Sequence, residues 1–226
     1  MASTRGQIER DVALLLGEDL SSPGRGEPMW LRRCVVSAAD HVARVSECFQ
    51  THFTLDIDGS PTVQSVFCAP RELFKLDRVV VTLSSGSKVV LRAEAGQIVT
   101  PGRADEIYPT WQTNPASGSQ PYICIDRRPD YILYPYPNWD AVAGADFYGW
   151  ATVGDWAGTG IEAATDEFPL PEYARMAVVY QAAYLRALQL IGAPGNADRL
   201  RFLKAEAEDQ IGLLARDAAT AHGRFS

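Results

Sequence analysis

Apolar positions along this chain recur at helical spacing at both ends and at strand spacing in between. Thr4 and Gln7 have capping-box spacing, Ile8, Val12 and Leu15 follow on one face, and Gly17 ends a first helix. Residues 17–28 read as a loop from their Gly, Pro and Ser content. A second helix is predicted over residues 29–53. Its stripe is Leu31, Val35, Ala38, Val42, Val45 and Phe49, at intervals of four and three.

Two more helices are predicted near the C-terminus. Pro171 stands at a first helical position, where a missing N–H costs nothing. Met176, Val179, Tyr180, Ala183, Tyr184, Ala187, Leu188 and Ile191 then form one stripe, which Gly192 and Pro194 end. Asn196 caps the next helix, whose stripe is Leu200, Leu203, Ala207, Ile211, Leu214 and Ala218. Residues 220–226 contain Gly223 and one large apolar side chain, Phe225. That is too little apolar surface to offset the entropy of ordering, so this tail is expected to order only on a partner.

The middle of the chain has strand texture. Phe53, Leu55 and Ile57 alternate up to a turn at Asp58-Gly59, and residues 65–69 look like a further strand. The clearest hairpin joins residues 79–83 to 88–92 around Ser84-Ser85-Gly86-Ser87. A short helical turn is expected before Trp111, and residues 114–120 are a polar loop. Short strands follow at 122–125 and 131–134, and a last one at 146–152. The resulting fold class is α+β. An antiparallel helical bundle is built from both chain ends, residues 1–53 and 165–226. A small antiparallel β domain and its linker, residues 54–164, are inserted between them.

Net charge is -7 and charged residues make up 22% of the chain, so nothing marks a basic nucleic-acid binder. No apolar run reaches bilayer-spanning length, and Glu9, Asp11, Glu18 and Asp19 argue against a signal peptide. A cytosolic product is expected. The scattered cysteines, Cys34, Cys48, Cys68 and Cys124, then read as buried thiols.

Candidate chemistry is sparse. Gly158-Thr159-Gly160-Ile161-Glu162-Ala163 matches the letters of a dinucleotide fingerprint but lacks a preceding strand, so a linker is the better reading. Cys34, His41 and Cys48 are spaced by seven, and seven helical residues span roughly 10 Å. Only Cys48 and His52 have the spacing to share a metal or act as a nucleophile pair on one helix. Asp56, Asp58 and Gly59 resemble the start of a calcium loop, but Phe67 stands at its twelfth position. No catalytic residue, metal site or cofactor is expected. Trp111, Tyr122, Tyr131, Tyr134, Tyr136, Trp139, Phe147, Tyr148, Trp150 and Trp156 crowd into one region. This cluster serves as β core, as an interface in which Tyr136, Trp139, Trp150 and Trp156 are the contact aromatics, or as a sugar-stacking platform. The last use defines the competing reading, a glycan-binding or hydrolytic tail component.

One sequence of features is diagnostic. A Trp ends a short helix, a polar loop follows, and Pro121-Tyr122 opens a strand. Leu133-Tyr134-Pro135-Tyr136-Pro137 comes next, and Asp166-Glu167-Phe168-Pro169-Leu170-Pro171 introduces a Tyr- and Ala-rich helix with a second helix after it. Most of the chain resembles the head-to-tail adaptor (connector) proteins of tailed bacteriophages, the short-tailed type in particular. A longer linker, residues 154–167, departs from the family pattern. The resemblance implies a virion structural protein and no enzyme. It implies a ring of twelve subunits below the portal protein that docks tail or nozzle proteins and extends the DNA channel without binding the DNA specifically. It places the chain at the virion neck, and in the host cytoplasm during assembly. It also implies a C-terminal arm gripping the portal, for which the composition of the tail offers Phe225 as an anchor and Arg224 for a carboxylate on the partner.

Overall fold

The structure is a computed structural model that describes residues 3–18, 27–56, 66–68, 73–112, 117–118, 123–128, 130–134, 136–137, 142–153, 167–190 and 196–222. It is α+β and divides into two compact units, Met1–Phe49 with Ala151–Ser226, and Gln50–Trp150.

In the first unit, helix α1 (Arg5–Leu16) starts where Gln7 reaches back to accept the Thr4 N–H at 2.8 Å. It ends at Gly17, whose φ of 61° is the left-handed conformation that glycine adopts without strain. Helix α2 (Glu27–Ser46) stops seven residues before the expected Phe53. Glu47 takes a positive φ of 50° and turns the chain, and the Ser46 hydroxyl donates to the Val42 carbonyl at 2.7 Å. Val45, expected on the buried stripe, is 52% exposed, while Phe49 still packs on the helical core from beyond the helix.

Helix α4 (Arg175–Gln189) also starts later than its sequence implies, because Pro171 opens a 3-10 turn at Glu172–Ala174 instead. Helix α5 (Asn196–His222) carries the helical conformation beyond Ala218 through Thr220, where the tail was expected to be free. The Thr220 hydroxyl folds back onto the Arg216 carbonyl at 2.8 Å, a local bond that needs no partner. Arg224 and Phe225 lie outside the described residues.

The core of this unit draws on α1, α2, α4 and α5. Ala38, Ala39 and Ala43 of α2 and Ala177, Ala182, Ala183 and Ala187 of α4 are all buried. Small side chains there let helix backbones approach closely. Within the same unit, the N-terminal segment is tied to the passage before α4. Phe168 N–H donates to the Ser3 carbonyl at 2.8 Å, and Thr4 bridges to Glu167.

The second unit holds β1 (Gln50–Asp56), β2 (Val66–Cys68), β3 (Leu73–Leu83), β4 (Lys88–Arg92), β5 (Ile98–Val99), helix α3 (Pro101–Ile107), β6 (Ser117–Gly118), β7 (Ile123–Arg127), β8 (Asp130–Tyr134), β9 (Tyr136–Pro137) and β10 (Val142–Ala151). One sheet has the order β1-β10-β3-β4, another β2-β8-β7-β5, and β6 pairs with β9. Two pairings, β5 with β7 and β6 with β9, are parallel, where a wholly antiparallel domain was expected. For β5 the reason is the intervening α3, which serves as the crossover that parallel neighbours require.

Burial defines the layers. Val79, Val81, Leu91 and Phe147 of the first sheet meet Cys124, Tyr131 and Leu133 of the second in one core. Ile123, Ile125, Ile132 and Tyr134, on the second sheet's other face, pack with Ala104 and Trp111 of the α3 region. The second sheet is therefore covered on both sides, and its strands bury consecutive residues rather than alternate ones. The first sheet alternates from Val79 to Leu83 and keeps one face toward solvent. Before Val79 the pattern breaks: Leu73, Leu76 and Val79 are buried three apart, and Lys75 and Arg78 are both exposed. Extra residues of this kind mark a bulged strand.

Candidate functional site

The one spacing that could have made a metal or nucleophile pair, Cys48 with His52, is not realised on a helix. Cys48 lies in the turn after α2 and His52 lies in β1, so the helical spacing that related them is absent. Cys34 is buried on α2 and His41 is exposed on it. No group of three metal-ligating side chains occurs among the described residues. Burial pushes the Cys48 thiol up, and it pushes Cys34 up against the opposing pull of the Arg186 guanidinium. Cys124 is raised further by burial, with Asp126 adding to the effect. Thiols held protonated in this way are poor nucleophiles. The GxGxxA letters, the Asp58-Gly59 turn, Trp139 and Trp156 lie outside the described residues.

Of the aromatic cluster, Trp111, Tyr131, Tyr134 and Phe147 are core. Trp111 Nε1–H donates to Asp105 Oδ1 at 2.7 Å, which fixes the turn after α3. Tyr136 stands in β9, opposite Ser117. Trp150 is 7% exposed, with the Lys75 ammonium 4.6 Å from its ring centroid. A cation so placed occupies the ring face that a sugar or base would need.

The outward face of the first sheet carries the most organised polar chemistry among the described residues. His52 of β1 lies opposite Tyr148 of β10, and their rings stack at 5.5 Å. Arg78 of β3 sets its guanidinium 4.3 Å from the centroid of the same Tyr148 ring. Arg92 of β4 is the direct cross-strand partner of Arg78, and its Nη1 donates to Glu94 at 3.0 Å. One transverse row, His52–Tyr148–Arg78–Arg92, thus crosses all four strands. Beside it, Gln50, Thr51, His52, Asp77, Arg78, Tyr148 and Gly149 line an open hollow of about 210 Å³. Lys88, opposite Thr82, and Lys75, over Trp150, extend the cationic character along the face.

Sequence reasoning named His52 only as a partner for Cys48 and Tyr148 only within the aromatic cluster; it did not name Arg78 or Arg92, and it did not bring the four together. They lie on four strands, and only the pairing register brings them together. The available signal was the exposed half of the 79–83/88–92 hairpin, where Arg78 and Arg92 fall at equivalent positions. The row's guanidinium groups have the chemistry to orient an anionic group, and among the described residues it holds no nucleophile with an adjacent base.

Comparison with known proteins places the whole chain in context. A model of the family described as SU10 adaptor protein matches residues 3–225, nearly the full length. No curated protein matches the chain.

Proposed function

We propose that this chain, which belongs to the SU10 adaptor protein family of phage head-to-tail adaptors, is a virion structural protein of the neck. The observation that carries the reading is the family match over residues 3–225, which includes both units. In this reading the subunit joins a ring of twelve below the portal protein, extends the DNA channel, and docks tail or nozzle proteins. The helical unit is the antiparallel bundle closed by both chain ends. The ties of Ser3 to Phe168 and of Thr4 to Glu167 support that closure. The net charge of -7 suits a passage through which DNA slides without adhering. Assembly takes place in the host cytoplasm and needs no catalytic step and no cofactor.

The C-terminal arm is the proposed portal grip, with Phe225 as its anchor and Arg224 facing a carboxylate. Tyr136, Trp139 and Trp156 are proposed contact aromatics. Trp150, buried under Lys75, contributes packing instead. That burial takes Trp150 out of the open Trp groove that a glycan platform would need.

The deciding experiment is electron microscopy of the purified chain mixed with its portal. A ring of density added below the portal is the expected result; a chain that never joins the portal overturns the reading. Truncation after His222 tests the arm. Portal binding equal to that of the full chain would remove any role for Arg224 and Phe225.

A further inference from the structure

We propose that the outer edge of β4 is a docking site for an extended acidic segment of a partner protein, which pairs with Lys88 and Val90 as an added strand. The inference rests on β4 and its neighbours and not on the neck reading above.

β4 is the last strand of the β1-β10-β3-β4 sheet, and among the described residues no strand pairs with its outer side. Its ladder with β3 has a fixed phase. Ala93 N–H donates to the Asp77 carbonyl and Leu83 N–H to the Ser87 carbonyl, both at 2.8 Å. Hydrogen-bonded pairs of an antiparallel ladder recur at every second residue, so Val79 with Leu91 and Val81 with Val89 exchange the backbone bonds. The N–H and C=O groups of Lys88, Val90 and Arg92 therefore point away from β3. Those of Arg92 are taken: its N–H donates to Gln97 Oε1 and its carbonyl accepts the Gln97 N–H, both at 3.1 Å. Those of Lys88 and Val90 have no partner among the described residues. They leave a short window of backbone donors and acceptors, closed at one end by Gln97 and at the other by the turn at residues 84–87.

The side chains around the window define what it accepts. Lys88, Val90 and Arg92 alternate outward and are exposed, Val90 at 40%. A residue paired opposite each of them sets its side chain on the same face. Arg78 lies directly across from Arg92 on β3 and has no carboxylate partner among the described residues. Glu94 takes Arg92 at 3.0 Å, while Asp146 is two strands away on β10, where it accepts the Thr54 hydroxyl. Asp77 shares the parity of the buried Val79 and Val81 and faces the other way. The β4 side of the sheet is therefore cationic on balance. Its matching strand is acidic opposite Lys88, β-branched opposite Val90 and acidic opposite Arg92, where one carboxylate meets the guanidinium of Arg78 as well. A second copy of β4 does not match. Paired antiparallel about Val90, it sets Lys88 against Arg92, and like charges directly opposite destabilise a strand pair. Duplex DNA would use the cations alone and leave the backbone window unfilled. An added peptide strand uses both.

The test is fluorescence anisotropy of the full chain with a labelled synthetic peptide, Ser-Glu-Thr-Val-Thr-Glu-Ser, whose palindromic order gives one register in either strand direction. Saturable binding is expected at about 0.05 M salt and should weaken roughly tenfold at about 0.3 M, where screening is stronger. A peptide with Lys in place of both Glu should bind roughly tenfold more weakly, because it meets like charges. The acidic peptide N-methylated at its central Val should lose as much, because the donor that faces the Val90 carbonyl is gone. The variant K88E/R92E should release the acidic peptide and take the Lys peptide instead, with unchanged far-ultraviolet circular dichroism. V90P removes an edge donor without removing a bond to β3 and should abolish binding; should it unfold, the N-methylated peptide gives the same reading on the unaltered chain. The proposal is overturned if the unaltered chain does not bind the acidic peptide, if the N-methylated peptide binds as well as its parent, or if K88E/R92E keeps the acidic peptide. It is also overturned if duplex DNA displaces the labelled peptide at a lower concentration than unlabelled peptide does, which would make nucleic acid the occupant. A dimer of the unaltered chain that K88E/R92E dissolves would make a second copy the occupant and overturn it equally.

Discussion

Gly149 of β10 faces the backbone of Lys75 in β3 so closely that a Cβ at that position would lie 2.2 Å from the Lys75 carbonyl oxygen. It would also lie 3.0 Å from Leu73 Cδ1 and 3.1 Å from Leu76 Cα. The bulged first half of β3 thus passes over a residue with no side chain, and that passage sets Lys75 and Arg78 outward together.

Gly149→Ala should therefore act as an overpacking change, destabilising the β unit by about 1–3 kcal/mol. The offending neighbour is backbone and cannot rotate away. Urea unfolding followed by tryptophan fluorescence would measure it. An unchanged midpoint would mean that β3 lies farther from β10 than described.

The helical unit contains a charged group with no exposure at all, Arg5. Glu9 is 3.4 Å from Arg5 Nε and 3.5 Å from Arg32 Nε, so one carboxylate links α1 to α2. Arg5→Met removes one partner and leaves a largely buried carboxylate with the other. A loss of about 3 kcal/mol is expected, typical of a broken buried pair. Thermal melting by circular dichroism at 222 nm is the readout, and a gain in stability would show that the charge was the poorer occupant.

These two sites illustrate what the sequence could and could not convey. The helices at both ends were legible because Ile8, Val12, Leu203, Ala207, Ile211 and Leu214 are buried at the spacings their stripes require. The end of α2 was not. Phe49 keeps the stripe's rhythm and is partly buried, but it reaches the core from an extended segment. Apolar periodicity reports burial, and a residue just beyond a helix can satisfy it. In α4 the buried face is built from Ala177, Val178, Ala182 and Ala183, while Met176 is 46% exposed. Val179, Ala183 and Ala187 of the expected stripe are buried too, so the pattern found the right face but missed its small members Ala177 and Ala182 and misplaced Met176. The cationic row needed the register of Arg78 with Arg92 and of His52 with Tyr148, which no local pattern encodes.

Glu172 gives the N-terminal tie a pH dependence. The Ser3 hydroxyl donates to one of its oxygens at 2.6 Å and the Ser3 N–H to the other at 3.1 Å, and these bonds hold the carboxyl below its ordinary value. A lowered value in the folded state means that the stabilisation is complete above the unfolded-state value, about pH 4.3. It is lost as the pH falls through the lowered value. Glu9 has the opposite sign, because burial raises its carboxyl despite Arg32 and Arg5. Its protonation favours the folded state as the pH first drops. Melting temperatures of the unaltered chain and Glu172→Gln should differ at neutral pH and converge in acid. A difference that persists undiminished at the lowest pH would rule out Glu172 as the titrating group.

Asn196 was expected to cap α5, and its side chain instead serves the helix before it. Its Nδ2 donates to the carbonyls of Ala187 and Leu190, both at 3.0 Å, at the C-terminal end of α4. The two roles make opposite predictions for one substitution. A residue that caps α5 would accept backbone N–H groups, and aspartate does that as well as asparagine or better, aided by the positive end of the helix dipole. A residue that donates to the α4 carbonyls loses its donor on becoming aspartate and points a negative charge at two carbonyl oxygens. It then also faces the negative end of the α4 dipole. Asn196→Ala should cost about 1 kcal/mol, since the Ala187 carbonyl is partly buried and the Leu190 carbonyl can turn to water. Asn196→Asp should cost at least as much as Asn196→Ala, and more at neutral pH than in acid, where the new carboxyl is protonated and donates again. Urea midpoints of the three proteins at pH 7 and pH 3.5 decide the matter. An aspartate variant as stable as the unaltered chain at pH 7 would restore the capping role and detach Asn196 from α4.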